Sequence, residues 1–460
     1  MEGRKAQNPI FAGVCFKRKI GFEAVLPQQT ISGFARDQGP NKVMLKHSHL
    51  IYDWNALPET QFAPKQRVML DDESLRDGLQ SPSVKDPRIE EKIKILHLME
   101  DLGIDFADIG LPGAGPRAVA DVELLAREIA NCRMKIKPNC AARTHENDIR
   151  PVAEISQRAG IPIEVACFLG SSPIRRFTEN WTDDFLFQTT EKAVTYARSL
   201  GLEVMYVTED TSRCDPETVK RLYSTAINSG AMAIVICDTV GHATPSGVQA
   251  LIRFVLDEVV KPSGQKIRVD WHGHSDRGLA VANSLAALAA GADCVHGTAL
   301  GIGERVGNTQ IDQMLVNLKL MGVSPWAEQD LTRLKEYCTT VSEATGVPIP
   351  RNYPVMGEDA FRTATGVHAA AVIKAFRKGD IELANSVYSG VPSHYFGLEQ
   401  IIEIGPMSGK SNVIFWLERK GMTASEELVD RIFQRAKASD RCLTEEEILA
   451  CCQKVSAEAR

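Results

Sequence analysis

From Val68 onward, short runs of β-branched and apolar residues alternate with longer stretches whose apolar positions recur at helical spacing. The short runs go from Val68 to Leu70, Phe106 to Ile109, Met134 to Asn139, Ile163 to Phe168, Glu203 to Thr208, Ala233 to Cys237, Ile267 to Trp271 and Cys294 to Gly297. Helical stretches between them include Arg88 to Leu102, Pro116 to Ala130, Asp184 to Leu200, Asp215 to Ser229 and Leu279 to Ala290. Strands alternating with helices make parallel βα units, and eight units close a barrel. The pattern therefore predicts an α/β protein, a (β/α)8 TIM barrel. The stretch from Val68 to Val323 is close to the ~250 residues typical of that fold. An open doubly wound sheet would need a glycine-rich turn after its first strand. The chain has Asp72-Glu73-Ser74-Leu75-Arg76-Asp77-Gly78 there, which is charged.

The rhythm stops after Ser324, and the remainder reads as a mainly helical C-terminal appendage. The predicted organisation is an N-terminal extension over 1–64, a catalytic barrel over 65–325, a linker subdomain over 326–415 and a C-terminal helical subdomain over 416–460. The extension mixes charge, Gly, Gln and Pro without sustained periodicity, so it predicts an irregular segment. Thr423 with Glu426, and Thr444 with Glu447, have capping-box spacing and predict two helix starts. Leu428, Ile432, Phe433 and Ala436 form one apolar stripe, expected to be packed core or dimer surface.

Composition narrows the class. With 53 basic and 59 acidic side chains, a net charge of −6 and 44% hydrophobic residues, the 460-residue chain has the make-up of a soluble globular protein with a large core. It has no basic tract suited to nucleic acid and no apolar run of the ~18 residues that a membrane span needs. Eleven cysteines without a CxxC pair predict reduced thiols. The expectation is a cytoplasmic protein that acts on small molecules, with no nucleic-acid or membrane partner.

Barrel chemistry sits at the C-terminal ends of the strands. There the sequence places Arg76-Asp77, Glu209-Asp210, Asp238-Thr239, His272-Gly273-His274 and the loop from Gly301 to Asn308. Residues i and i+2 of a strand point to one side, so His272 and His274 present two imidazoles together. Either they satisfy hydrogen bonds in a polar mouth, or they bind a metal. With Asp77 and Asn308 they complete a mixed nitrogen and oxygen shell suited to a catalytic divalent cation such as Zn, Mn, Mg or Co. Arg76 is placed for a substrate carboxylate or a developing oxyanion, or for an ion pair with Glu209. Glu209 is a general acid or base, or the partner that holds Arg76. The segment Gly405-Pro406-Met407-Ser408-Gly409-Lys410-Ser411 has three residues between its glycines, where a phosphate loop needs four.

Leu75-Arg76-Asp77-Gly78-Leu79-Gln80-Ser81-Pro82, Asp238-Thr239-Val240-Gly241, the stretch from His272 through Ser284, and Gly303-Glu304-Arg305-Val306-Gly307-Asn308 together resemble the metal-dependent acyl-CoA Claisen enzymes. That family holds the 2-isopropylmalate, homocitrate and citramalate synthases, with HMG-CoA lyase as a relative. The resemblance runs from about residue 66 to the end. It implies an acyltransferase of amino-acid biosynthesis that condenses acetyl-CoA with a 2-oxo acid, releasing CoA and a 2-alkylmalate-type product. It also implies metal ligands Asp77, His272, His274 and Asn308, and a 2-oxo acid pocket lined by Arg143, Glu209 and Thr239. Met356 to Phe361 and Thr365 to His368 are similar to the segment that supplies a catalytic histidine from the partner subunit of a homodimer. The implied base is His368 supported by Glu358, or a group relayed through Glu209. The resemblance further implies that the leucine-binding regulatory domain of longer synthases is lacking.

Four positions depart from the synthase pattern. Leu79 matches the lyase form of its motif, Asp108 stands for Glu, Ser275 for Asn, and Ala166 for the His of leucine-pathway enzymes. Against the lyase, the loop after the eighth strand has Gly303-Glu304-Arg305 in place of a cysteine. The competing expectations are a retro-Claisen lyase on the same scaffold and a non-catalytic sensor of a 2-oxo acid or metal. The sensor predicts ligand binding without thiol release.

Overall fold

The computed structural model describes residues 47–58, 62–64 and 67–458, so the extension expected over 1–64 falls largely outside the described residues. Eight parallel strands close into a barrel in sequence order. They are β1 (Met69–Asp72), β2 (Phe106–Asp108), β3 (Lys137–Arg143), β4 (Glu164–Gly170), β5 (Val204–Glu209), β6 (Ala233–Asp238), β7 (Arg268–Gly273) and β8 (Cys294–Gly297). The barrel closes where β8 pairs with β1, from Cys294 opposite Met69 to Gly297 opposite Asp72. Every predicted strand is present, but most run further than the apolar pattern suggests. Asp72, Arg143, Glu209, Asp238 and His272 read as loop residues by their polarity, yet each lies within a strand. Polarity there marks the barrel mouth, where strand ends face one another instead of solvent.

Helices on the outside begin at side-chain caps, within two residues of the predicted starts Asp184 and Asp215. Thr182 accepts from the Phe185 amide at 3.2 Å, and Asp215 accepts from the Thr218 amide at 2.9 Å. Each satisfies an amide that the first helical turn leaves unpaired. A continuous apolar core joins the strands to these helices and includes Leu70, Ile95, Leu125, Val165, Val204, Ile234 and Leu315. Trp326 is fully buried after the last barrel helix, Ile311–Leu320, and donates its indole N–H to the Val68 carbonyl at 3.0 Å. This ties the appendage to the start of β1.

Two smaller strands, β9 (Arg362–Thr363) and β10 (Ile401–Ile402), pair in parallel beside the helix Gly366–Arg377. Ala369, Val372, Ile373, Ala384 and Ile402 form a local core there. Leu428, Ile432 and Ala436 pack with Ile404, Val413, Leu417 and Ile448, so the predicted stripe is packed core. The Thr444 box is real: the Thr444 amide donates to Glu447 Oε2 at 2.9 Å and the Glu447 amide donates to Thr444 Oγ1 at 3.3 Å. The Thr423 box is not, because Ser425 caps that helix by accepting from the Leu428 amide, and the helix starts at Glu426. In the near-phosphate loop, Ser408 Oγ accepts from the Gly405 amide and donates to the Ala364 carbonyl. The Ser408 hydroxyl is thereby spent on the local fold.

The ten cysteines among the described residues are free thiols. Among the described residues no helix is long and apolar enough to cross a membrane.

Candidate active site

Four donors meet at the mouth of the barrel. Asp77 opens a short 3-10 turn after β1, His272 lies on β7, and His274 follows it. The two imidazole Nε2 atoms are 3.2 Å apart, and Asp77 Oδ2 lies 3.7 Å from the first and 3.8 Å from the second. Asn308 joins them through a backbone bridge to His274. Its Nδ2 donates to the Ile302 carbonyl at 3.1 Å, which leaves Oδ1 free. Asp77 Oδ2 and Asn308 Oδ1 are buried and have no hydrogen-bond partner. Two orphaned buried oxygens beside two imidazole nitrogens fit a divalent cation, because such atoms otherwise carry a desolvation cost with nothing to offset it.

The glycines of this loop explain its sequence. A Cβ on Gly303, at φ +143°, would lie 2.2 Å from Asn308 Nδ2, and a Cβ on Gly307, at φ +96°, would lie 1.7 Å from the Gly301 carbonyl oxygen. Neither position tolerates a side chain while Asn308 keeps its place. Arg305 fastens the loop by donating to Asp276 from Nε at 2.9 Å and to the Thr239 carbonyl.

Arg76 stands beside the donor set. Its Nε donates to Asp108 Oδ2 at 2.6 Å, a terminal nitrogen donates to Glu73 Oε1 at 3.0 Å, and another lies 3.1 Å from Asp77 Oδ1. Glu73 in turn sits 2.9 Å from His272 Nδ1 and 3.1 Å from His296 Nδ1. One carboxylate thus touches a metal-ligand candidate, the arginine and a second buried histidine. Burial alone would raise the Glu73 carboxyl, but His272 and Arg76 hold it well below the carboxylate range. Burial opposes a charge on His296 too, yet Asp270, Asp71 and Glu73 raise it well above an ordinary histidine. His274 is pushed down to about 4 by burial and by the neighbouring His272. It is therefore neutral near pH 7 and offers a lone pair. Burial raises Glu209, and Glu304 adds to the effect against the opposing pull of Arg175.

Arg76, Asp77, Glu209, Thr239, His272 and His274 line one cavity of about 130 Å³. Three residues expected to serve the site do not line this cavity, and for two of them, Glu358 and His368, the expectation is a place in a partner's site. Arg143 ends β3 with its guanidinium on Asp148, Nε to Oδ2 at 2.6 Å and a terminal nitrogen to Oδ1 at 2.9 Å, and does not line the cavity. Asp148 lies in the first turn of the next helix and draws the side chain away. Glu358 pairs with Arg351 and Arg362 on the appendage. His368 is exposed on the helix Gly366–Arg377 and stacks on Tyr388 with ring centroids 4.2 Å apart. Sequence reasoning passed over Glu73 and His296. Both follow the two-residue alternation of their strands, Asp71 to Glu73 and Cys294 to His296, and that spacing could have found them.

Residues 67–341, more than half of the chain, match the HMGL-like family model. The chain is 31% identical over 373 residues to the homocitrate synthase AksA of Methanopyrus kandleri, covering 81% of this chain and 87% of that protein. It is 31% identical over 375 residues to a 2-isopropylmalate synthase of Geobacillus sp., covering 81% and 70%. Among solved structures, the Bacillus subtilis HMG-CoA lyase superposes with a TM-score of 0.53 at 20% identity, over 62% of this chain and 96% of that one. That likeness shows the shared barrel. Motifs, donor geometry and relatives agree, and the chain belongs to the HMGL-like family.

Proposed function

We propose that the protein is a metal-dependent acyltransferase that condenses acetyl-CoA with a 2-oxo acid, giving a 2-alkylmalate-type product and CoA. The observation that carries this reading is the convergence of His272 and His274 with the two unpartnered buried oxygens of Asp77 and Asn308, next to Arg76. Relatives named as homocitrate and 2-isopropylmalate synthases support it. A cation held by Asp77, His272, His274 and Asn308 supplies a Lewis acid for the keto group. Arg76, fixed by Asp108 and Glu73, donates to the keto oxygen as negative charge grows there. Glu209, whose carboxyl is raised by burial, lines the same cavity at the end of β5 and is the general acid of this reading for that oxygen.

The acetyl methyl must lose a proton, and His368 is the base for it, in the cavity of a second copy of the chain. Its ring is exposed among Val367, Tyr388 and Met407, three exposed apolar residues suited to a homodimer surface. Glu358 travels with the same appendage through its Arg362 pair.

Thiol release measured with acetyl-CoA, a divalent cation and a panel of 2-oxo acids tests the reading. Release is expected with at least one acid, and is lost on chelation and in Asp77→Ala or His272→Ala. Mixing Asp77→Ala with His368→Ala restores activity if two copies share a site. Bound metal with no thiol release from any acid would overturn the synthase reading, and cleavage of HMG-CoA to acetyl-CoA would establish a lyase instead.

A further inference from the structure

The wall of the cavity is divided into two chemically opposite halves. On the side of β7, β8 and β1 it is built from His272, His296, Glu73 and Asp77. On the side of β3 to β6 it is built, below the mouth, from Ala141, Ala166, Phe168, Met205, Val207 and Val235, while Glu209 and Thr239 bring polar groups only at the mouth end of β5 and β6. The apolar residues stand in register across the strands: Ala141 faces Ala166, Ala166 faces Met205, Phe168 faces Val207 and Val207 faces Val235. Ala166, Met205 and Val235 belong to a core cluster of their own inside the barrel, separate from the main core.

The acceptor's carboxylate and keto oxygen belong on the charged half, with the donor set and Arg76. The rest of the acceptor then faces the apolar half. Among the described residues Arg76 is the one arginine or lysine that lines the cavity, and Glu73, Asp77 and Asp108 already engage it. His296 is engaged by Glu73 and Asp270. A second carboxylate laid against Ala166 and Met205 would be buried without a counter-charge, in a cavity that already holds Glu73 and Glu209. We propose that the acceptor is a 2-oxo monocarboxylic acid with a short aliphatic side chain, and that Ala166 and Ala141 set the room available to that side chain. This rests on the synthase reading above and selects between acceptors that the relatives' names leave open.

The test compares kcat/KM, read as thiol release, for pyruvate, 2-oxobutyrate and 2-oxoisovalerate against 2-oxoglutarate and oxaloacetate. The best aliphatic acid is expected to exceed both dicarboxylic acids by at least about tenfold, since the latter bury an unpaired charge. Ala166→Leu fills the space beside Met205, so the ratio of kcat/KM for 2-oxoisovalerate over pyruvate falls roughly 10- to 200-fold. Ala141→Val gives the same direction if the first variant does not fold. A dicarboxylic acid turning over as well as the best aliphatic acid, or a loss equal for all acids in a folded variant, overturns the proposal. The thermal shift of the metal-loaded protein with each acid, without acetyl-CoA, separates the two levels. Stabilisation by aliphatic acids with no thiol release retains the acceptor and sinks the condensation. Stabilisation by dicarboxylic acids alone sinks the acceptor, and an acid panel that neither reacts nor stabilises sinks both.

Discussion

Replacing Glu73 by glutamine isolates the residue that joins the donor set to the arginine. Its carboxylate takes three contacts at 2.9 to 3.1 Å, from His272 Nδ1, Arg76 and His296 Nδ1. With the proton of His272 held on Nδ1, the lone pair of Nε2 faces His274 and Asp77. Glutamine keeps one acceptor oxygen and offers an amide that cannot accept, so at least one imidazole loses its partner. Losing the carboxylate that orients a ligating imidazole typically costs 10- to 100-fold in metal affinity, or about 1.4 to 2.7 kcal/mol. Stability falls as well, by less than the ~3–5 kcal/mol of a fully unpaired buried charge, because Asp270 and Asp71 remain beside His296. The assay is metal affinity of the metal-free protein by competition with a chelating dye, with circular dichroism to establish folding. Glu164→Gln is the control, since Glu164 pairs with Arg268 at 2.8 Å lower in the barrel and has no contact with His272. The reasoning fails if folded Glu73→Gln binds metal within twofold of the unaltered protein, or if Glu164→Gln weakens metal binding as much.

Gly303→Ala would place a Cβ 2.2 Å from Asn308 Nδ2, so the helical circular dichroism should be retained while metal affinity and thiol release collapse. A variant with unaltered metal affinity would contradict the role given to Asn308. Burial raises Asp72 to about 6 from an ordinary 3.8, against the donors Ser74 and Tyr337. The folded state therefore binds the extra proton between about pH 4 and 6, and this group's contribution to stability falls as pH rises through that window, by on the order of 3 kcal/mol. Denaturant unfolding at pH 4.5 and 6.5 should show about 2 kcal/mol of that loss, relative to Asp72→Asn, and equal pH slopes would refute it. Thr444→Ala removes one half of the capping box and should lower stability by about 1 kcal/mol in thermal unfolding, with kcat/KM unaffected.

The parts of this molecule that could be read from the chain are those in which one residue's neighbours along the sequence decide its fate. The apolar and β-branched run from Val204 to Thr208 shows a strand by itself, and the spacing of His272 and His274 shows two imidazoles on one side. Arg143 resisted that reading because its direction is settled by Asp148, a helix-terminal residue whose competing attraction no strand pattern contains. His368 is a different case: its place on the helix is clear, and the cavity proposed for it is that of a second copy, which one chain does not contain. Glu73 and His296 were legible in principle, since Glu73 follows the buried Asp71 by two residues just past β1 and His296 follows the buried Cys294 by two within β8. They were passed over because a charged residue inside a strand looks like a loop until its counter-charge is known. For Glu73 the two histidines come from β7 and β8, more than 190 residues away in the chain. The same logic governs the divided cavity wall. An alanine at 166 looks like a missing histidine when read against a motif, but in the closed barrel it is one of a row of apolar side chains from Ala141 to Met205. The substitution thus follows from the neighbours it packs with, and the preference for an aliphatic acceptor is a property of four strands together.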